Sequence, residues 1–251
     1  MSTDSQPLAV VIGGGSGIGS ALVAKYRERS IRTVVWDVDG ERDVTCDIVH
    51  PEQIDEAVRL TTDRWGVPDR VTVTAGIGHA GLLSDVTAEE WDRVMQTNAR
   101  GPWLCLRAWA QVLHRAGRPG SFVATSSISS YLVDRNMGTY CASKAALNML
   151  VKVAAAEWGP WHIRVNAIAP GVTMTPMLGR SPEGSPWLAG VAERTTLGRL
   201  GQADDIAAAV MALHDLGWVT GQVLNCDGGL SLQSPIDSYG GSRRSGGNPA
   251  N

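Results

Sequence analysis

The sequence is short of the features that mark a disulfide scaffold, a metal centre or a polyanion binder. Its four cysteines, at 46, 105, 141 and 226, are too few and too scattered for a disulfide framework. No two have metal-ligand spacing and the five histidines do not cluster with them, so no metal is expected. The cysteines read as small buried hydrophobes in a reducing compartment. With 22 Lys and Arg against 25 Asp and Glu, the formal charge is -3, without the basic surplus of a nucleic-acid binder. No run approaches the ~18 apolar residues of a membrane span. The opening MSTDSQP lacks the basic and apolar parts of a secretion signal. The expectation is a cytoplasmic protein with a small-molecule partner, no nucleic acid and no membrane.

What is present suits one core. At 251 residues, with 43% hydrophobic and 19% charged types, the chain is expected to form a single domain over residues 1–251. Apolar runs at 8–12, 31–36, 71–74, 121–125, 163–166 and 222–224 read as strands. Between them, 21–29, 51–65, 139–158 and 202–213 read as helices, with Pro51 tolerated in a first turn. Thr87-Ala-Glu-Glu90 has capping-box spacing, and Pro102 is expected to interrupt the helix that follows before it resumes at Trp103. This alternation predicts an α/β fold, a doubly wound, mostly parallel sheet with helices on both faces. The core spans 8–230. Residues 172–198, with Pro176, Pro182 and Pro186, are expected to form a lid over the strand ends, and 233–251 a flexible tail.

The run Gly13-Gly-Gly-Ser-Gly-Ile-Gly19 sits between a predicted strand and a predicted helix. Glycines let a backbone turn sharply and approach a pyrophosphate, whose charge meets free N–H groups at the helix start. Asp37 ends the second strand, 18 positions after Gly19, where a carboxylate can accept hydrogen bonds from a ribose diol. It would repel a 2′-phosphate, so NAD is expected over NADP. Arg42 would accommodate a phosphate if its loop folded back. Tyr140 and Lys144 lie one turn apart on a predicted helix, on one face. An ammonium about 4 Å from a phenolate is worth roughly 4 kcal/mol at an effective dielectric near 20. That is about three units off a phenol's pKa, and a positive nicotinamide ring would lower it further.

The glycine run, Asp37, Cys46-Asp-Ile48, Ala75-Gly76, Asn98, Ser126-Ser127, Tyr140-Cys-Ala-Ser-Lys144, Ile163-Arg-Val-Asn166, Pro170-Gly171 and Asp227-Gly-Gly229 together resemble the short-chain dehydrogenase/reductase family. The resemblance covers about residues 8–230. It implies a Rossmann sheet of seven parallel strands in order 3-2-1-4-5-6-7, a homotetramer, and NAD-dependent hydride transfer at a carbinol carbon. By it, Tyr140 is the acid/base and Ser127 places the substrate oxygen. Lys144 lowers the Tyr140 pKa and holds the nicotinamide ribose, and Asn98 anchors a water leading to Lys144. Cofactor contacts fall on Gly13, Gly15, Ser16, Gly17, Ile18, Gly19, Asp37, Asp47, Ile48, Ala75, Gly76, Pro170, Gly171, Val172 and Thr175, besides Tyr140 and Lys144. Two departures stand out: Ile12 where the family usually has Thr, and Val73-Thr74 where it usually has Asn-Asn. They are expected to weaken the bracing around the cofactor.

Other readings are weaker. A methyltransferase shares the glycine turn but has no need of Ser127, Tyr140 and Lys144 at these spacings. A catalytically silent NAD-binding scaffold and a 3-oxoacyl carrier-protein reductase remain as alternatives. For the substrate pocket, Val133, Met177 and Trp187, with Ser127 and Tyr140, give a mostly apolar wall. The expected substrate is a hydrophobic secondary alcohol or its ketone, with cyclic and steroid-like frames included.

Overall fold

A computed structural model describes residues 6–178 and 185–232. Seven strands form one parallel sheet: β1 (Leu8–Ile12), β2 (Arg32–Asp37), β3 (Val44–Thr45), β4 (Arg70–Val73), β5 (Gly120–Thr125), β6 (Ile163–Pro170) and β7 (Val223–Cys226). Their spatial order is 3-2-1-4-5-6-7, as expected. β1 lies between β2 and β4, pairing Val10 with Val34 and with Val71. Every residue of β1 is buried because both sheet faces are covered.

Helices α1 (Gly17–Glu28), α2 (Pro51–Trp65), α3 (Ala88–Met95), α4 (Gly101–Ala116), α5 (Gly138–Trp158), α6 (Pro186–Arg194) and α7 (Ala203–Asp215) fill the intervals. One core joins Val10, Ile12, Trp36, Val73, Phe122 and Val165 of the sheet to Ile54 of α2, Trp109 of α4 and Leu147 of α5. The other joins Val11, Val35, Val123 and Ile168 to Leu22 of α1 and Val210 of α7. Trp36 anchors the first core. Its ring lies 5.6 Å from that of Trp109, and its indole N–H donates to Thr61 Oγ1 at 2.9 Å.

Three local features differ from the sequence expectation. The edge strand β3 is two residues long, too short to carry a period. The helix before Pro102 does not break at the proline, which sits in the first turn of α4. Instead a π-helical turn, Gln96–Arg100, joins α3 to α4 and turns Asn98 inward. The capping box at Thr87 forms as expected, with Glu90 N–H on Thr87 and the Glu90 carboxylate on the Thr87 N–H. In the segment expected to be a lid, Thr173–Met174 pairs with Gly201–Gln202, then a 3-10 turn covers Pro176–Leu178 and α6 follows. Residues 179–184, within that segment, and the tail at 233–251 lie outside the described residues. Among the described residues, no helix is long and apolar enough to cross a membrane.

His214 on α7 is fully enclosed beneath the sheet. Its ring nitrogens lie 2.9 Å from Thr72 Oγ1 and 2.9 Å from Ser121 Oγ. Burial, helped by Arg70 and Arg164, pulls its pKa down to about 3. The folded protein keeps this ring neutral, whereas the unfolded chain protonates it below about 6.5. Stability is therefore full above pH 6.5 and falls as the pH drops towards 3. At pH 4.5 the loss is roughly 2–3 kcal/mol. Urea unfolding of wild type and His214→Gln should show the wild-type advantage shrinking by that amount between pH 7 and 4.5. A constant difference would contradict it.

Candidate active site

β1 ends at a turn that only glycine can make. Gly13 donates its N–H to the Trp36 carbonyl at 2.8 Å and holds a φ of +86°. A Cβ there would stand 2.7 Å from the Ala75 Cα and 2.9 Å from Thr74 Oγ1. Thr74 closes the turn, its hydroxyl facing the carbonyls of Ile12 at 3.1 Å and Gly13 at 2.8 Å. The bracing expected to be weak is thus supplied by Thr74. α1 then begins at Gly17 with no acidic residue in its first turn and no side-chain cap from Ser16. Its first N–H groups are left for an anion. Gly17 lies against Thr175: a Cβ on it would be 3.4 Å from the Thr175 Cβ. Gly19 is pressed on the Gly13 carbonyl, and Ile18 packs against the second core.

Asp37 faces this turn, but its carboxylate is already engaged. Oδ2 accepts the Gly15 N–H at 2.8 Å, and Oδ1 accepts from Val38 at 2.7 Å and Asp39 at 3.2 Å. The following loop folds back: a Cβ on Gly40 would lie 2.8 Å from the Gly15 carbonyl. Arg42 is fixed to that loop, donating to the Gly40 carbonyl at 2.8 Å and to Thr45 at 3.0 Å. Asp47 caps its own turn, accepting the Val49 N–H at 3.1 Å, and the neighbouring Ile48 is buried against Gly101. Across the sheet, Gly171 donates to the Cys226 carbonyl at 3.1 Å, and the Val172 carbonyl accepts from Gly201 at 3.0 Å. Pro170 ends β6.

The four residues expected to carry the chemistry converge at the carboxyl end of β5. Lys144 is 4% exposed, and its ammonium donates to the Thr125 carbonyl at 2.8 Å. Gly76 leaves room for it, since a Cβ there would meet Asn98 Oδ1 at 3.2 Å and Lys144 Nζ at 3.4 Å. Asn98 grips the loop after β4, accepting the Ile77 N–H at 2.8 Å and donating to the Ile77 carbonyl at 2.9 Å. Its amide also donates to Ser143 at 3.2 Å, and Ser143 donates to the Tyr140 carbonyl at 2.7 Å. α5 is tied to the loop after β5 by Asn148, which donates to Ser130 at 2.7 Å, while Ser130 donates to the Ser127 carbonyl at 2.6 Å. That loop brings Ser127 close enough to Tyr140 to act on its phenol.

The electrostatics differ from the sequence expectation. Burial pushes the Tyr140 phenol above its ordinary value, reinforced by Cys141 and Asp134. Burial also pulls Lys144 down to about 8. The expected lowering of the Tyr140 pKa by Lys144 is corrected for a physical reason. The ammonium is engaged by the Thr125 carbonyl and lies 5.7 Å from the centre of the phenol ring, and burial outweighs what it gives the phenol.

Between the loops after β4 and β5 and the start of α5 opens a cavity of about 320 Å³, lined by Leu82, Leu83, Leu132, Val133, Asp134, Arg135, Asn136, Gly138 and Cys141. Val133 is there as expected. Leu82 and Leu83 were not foreseen, because the short segment after β4 shows no period. Met177 lies over Gly78, 4.0 Å from where a Cβ would be. Trp187, exposed on α6, is not among the cavity residues, and neither are Met177, Ser127 and Tyr140, so of the expected pocket set Val133 alone lines it. A larger cavity, about 630 Å³, lies at the other end of the sheet, where Arg70, Gly120 and Ile163 begin their strands. Ligands of open parallel sheets bind at the carboxyl ends of the strands, so the smaller cavity is the one that matters.

Comparison with known proteins agrees with this geometry. A family profile described as enoyl-(acyl carrier protein) reductase matches residues 15–231. Short-chain dehydrogenase reductase 3a of Arabidopsis thaliana is 30% identical over 91% of this chain and 96% of its own length. The 2,5-dichloro-2,5-cyclohexadiene-1,4-diol dehydrogenase of Sphingobium indicum is 34% identical over 92% of this chain and 99% of its own length. The fold is shared with the structure of ElxO with NADP bound, at 23% identity and a TM-score of 0.85, covering 91% of this chain and 100% of that one. That structure corrects the expectation of NAD in place of NADP, because the same fold holds NADP there. The physical reason lies at Asp37. Three backbone N–H groups already compensate its carboxylate, and the back-folded loop holds Arg42 beside the turn.

Asn98 is the side chain on which the loop after β4 rests. Asn98→Ala would leave the Ile77 N–H and carbonyl unpaired, at about 1–3 kcal/mol for each group that stays dry. A stability loss of roughly 2 kcal/mol or more is expected in urea unfolding. A loss within about 0.5 kcal/mol, the range of a neutral surface change, would show that the loop is held elsewhere.

Proposed function

Because the chain belongs to the short-chain dehydrogenase/reductase family, we propose that it interconverts a hydrophobic secondary alcohol and its ketone, with Tyr140 as acid and base. Family membership makes it an NAD(P)-dependent oxidoreductase of alcohol or ketone groups. The observation that carries the finer reading is the convergence at the end of β5. There a buried Lys144 lies one turn from Tyr140, Ser127 acts on the Tyr140 phenol, and the loops around them line a cavity.

The residues present fit a dinucleotide. The glycine turn excludes any Cβ at Gly13, Gly15 and Gly19, and α1 offers uncapped N–H groups. In this reading the pyrophosphate rests on Gly13, Gly15, Ser16, Gly17, Ile18 and Gly19. Asp37, Asp47 and Ile48 flank the adenosine half. Ala75, Gly76, Pro170, Gly171, Val172 and Thr175 flank the nicotinamide half. When bound, the dinucleotide supplies the acceptor or donor of hydride.

The protein's own work is to hold and move a proton. Tyr140 takes the alcohol proton in oxidation and returns it to the ketone oxygen in reduction. Ser127 fixes that oxygen against Tyr140. Lys144, held on Thr125, orients the ribose and keeps a positive charge behind the phenol. Asn98 holds the loop that packs on Lys144 and keeps the proton path open. The wall of Leu82, Leu83, Leu132 and Val133 favours an apolar ring over a sugar. The relative from Sphingobium indicum, named for a cyclohexadiene-diol, supports a cyclic alcohol.

We carry a single domain, a cytoplasmic location and a homotetramer. The exposed apolar Met149 and Val153 on α5 support close packing of that helix on another subunit. Light scattering showing a concentration-independent monomer would defeat the tetramer.

The chemical proposal is tested by an NAD(P)H absorbance screen over alicyclic, terpene, steroid, acyl-thioester and sugar substrates, with Tyr140→Phe as control. Removing the transferable proton should cut turnover by a factor of about 10² to 10⁴. Near wild-type turnover in Tyr140→Phe would refute the acid/base role. Tyr140-dependent turnover only of sugars would refute the apolar pocket.

A further inference from the structure

We propose that Asp134, acting through Ser129, is a positioning residue that fixes the direction of the Ser127 hydroxyl. The proposal rests on the roles given above to Tyr140 and Ser127. Three side chains form a chain of hydrogen bonds behind the site. Ser129 Oγ and Asp134 Oδ2 are 2.5 Å apart, and Ser127 Oγ and Ser129 Oγ are 3.1 Å apart. The Ser129 N–H also points at Ser127 Oγ, at 3.1 Å. Ser127 and Ser129 are buried, so water does not substitute freely for either partner.

The direction of the chain follows from counting protons. A carboxylate has none to give, so Ser129 must spend its only hydroxyl proton on Asp134. The Ser129 oxygen is then left as an acceptor, and Ser127 must donate to it. Ser127 meanwhile accepts the Ser129 N–H. One lone pair is all that Ser127 can still offer to Tyr140 or to a reacting oxygen. In the free protein Ser127 therefore has no proton to offer the Tyr140 phenol. To support a phenolate, or a ketone oxygen, Ser127 must first release Ser129. Asp134 and Ser129 thus hold Tyr140 in its protonated form through the direction of one hydroxyl.

The other ionisable groups near Tyr140 are Cys141 and Lys144 on its own helix, with Asp134 on the facing loop. Burial and the charge of Asp134 act on the phenol in the same sense as the hydroxyl direction, so a test must separate charge from direction. Asp134→Asn removes the charge but keeps an acceptor for Ser129. Asp134→Ala removes both. Ser129→Ala keeps the charge and frees the Ser127 proton.

The readout needs no substrate. The chain has four tyrosines, so tyrosine labelled with carbon-13 at Cζ gives few signals, and Tyr140→Phe identifies the one of interest. In Ser129→Ala and Asp134→Ala, the phenolate-to-phenol ratio of Tyr140 at fixed alkaline pH should rise at least about threefold, half a pKa unit. Asp134→Asn should rise less than Asp134→Ala. A loop brace with no say in hydroxyl direction would lower stability or turnover without moving this ratio. An unchanged ratio in Ser129→Ala overturns the proposal, as do equal shifts in Asp134→Asn and Asp134→Ala. If Ser129→Ala fails to fold, the comparison of the two Asp134 variants decides. The activity of Tyr140→Phe tests the underlying reading separately. An inactive Tyr140→Phe with an unmoved ratio removes only the relay, whereas an active one removes the acid/base role.

Discussion

The fold takes the ammonium of Lys144 out of water and has to solvate it from within. A cation that is 4% exposed is costly unless dipoles are arranged around it. Here the arrangement is the carbonyl of Thr125, offered where β5 stops hydrogen-bonding along the sheet. The neighbouring features follow from that requirement. β5 must end beside α5, and the loop after it must be tied to the same helix through Ser130 and Asn148. A residue without a side chain must pass on the other side, and Gly76 does. The π-helical turn is what points Asn98 at Ile77 and holds that loop in place. The same burial that lowers Lys144 raises Tyr140, so the pair is poised by desolvation more than by mutual attraction.

The two ends of the sheet solve opposite problems. At the carboxyl end, strands stop early and leave glycine turns, unpaired helix N–H groups and the Ser127–Ser129–Asp134 chain, whose Asp134 lines a cavity. At the amino end, His214 spends both ring nitrogens on Thr72 and Ser121, and Arg164 donates to the carbonyls of Leu213, His214 and Val219. His214 and Arg164 are thus paired within the protein. The polar groups at the carboxyl end are held in place with capacity left over, and spare hydrogen-bonding capacity is what a ligand requires.

Much of this was legible because the strands are short apolar runs and the helix starts carry chemical marks. Pro51 and the Thr87–Glu90 box open their helices where the sequence puts them. The order of glycine turn, Asn98, Ser127, Tyr140 and Lys144 predicted a cluster, and the fold brings the last four to one strand end. What the sequence hid depends on tertiary placement. The strand at Val44–Thr45 is too short to show alternation, and the interruption attributed to Pro102 is a π turn just before it. Coulomb arithmetic on Tyr140 and Lys144 assumed a free ammonium, and no spacing shows that a carbonyl from another strand holds it. The selectivity expected of Asp37 assumed free oxygens, whereas its own turn engages them. Thr74, just past β4, does the bracing expected of other residues, and Ser129 and Asp134 belong to no motif at all.

The central claim is that Lys144 is a buried cation held by one strand-end carbonyl. It is tested most directly by carbon-13 labelling at the lysine ε positions and an NMR titration. The chain has only three lysines, at 25, 144 and 152, and Lys144→Arg identifies the signal. The account predicts that this signal titrates at about 8. If it titrated instead near 10.4, the ordinary value for lysine, the ammonium would be in contact with water and the arrangement described at the end of β5 would be wrong.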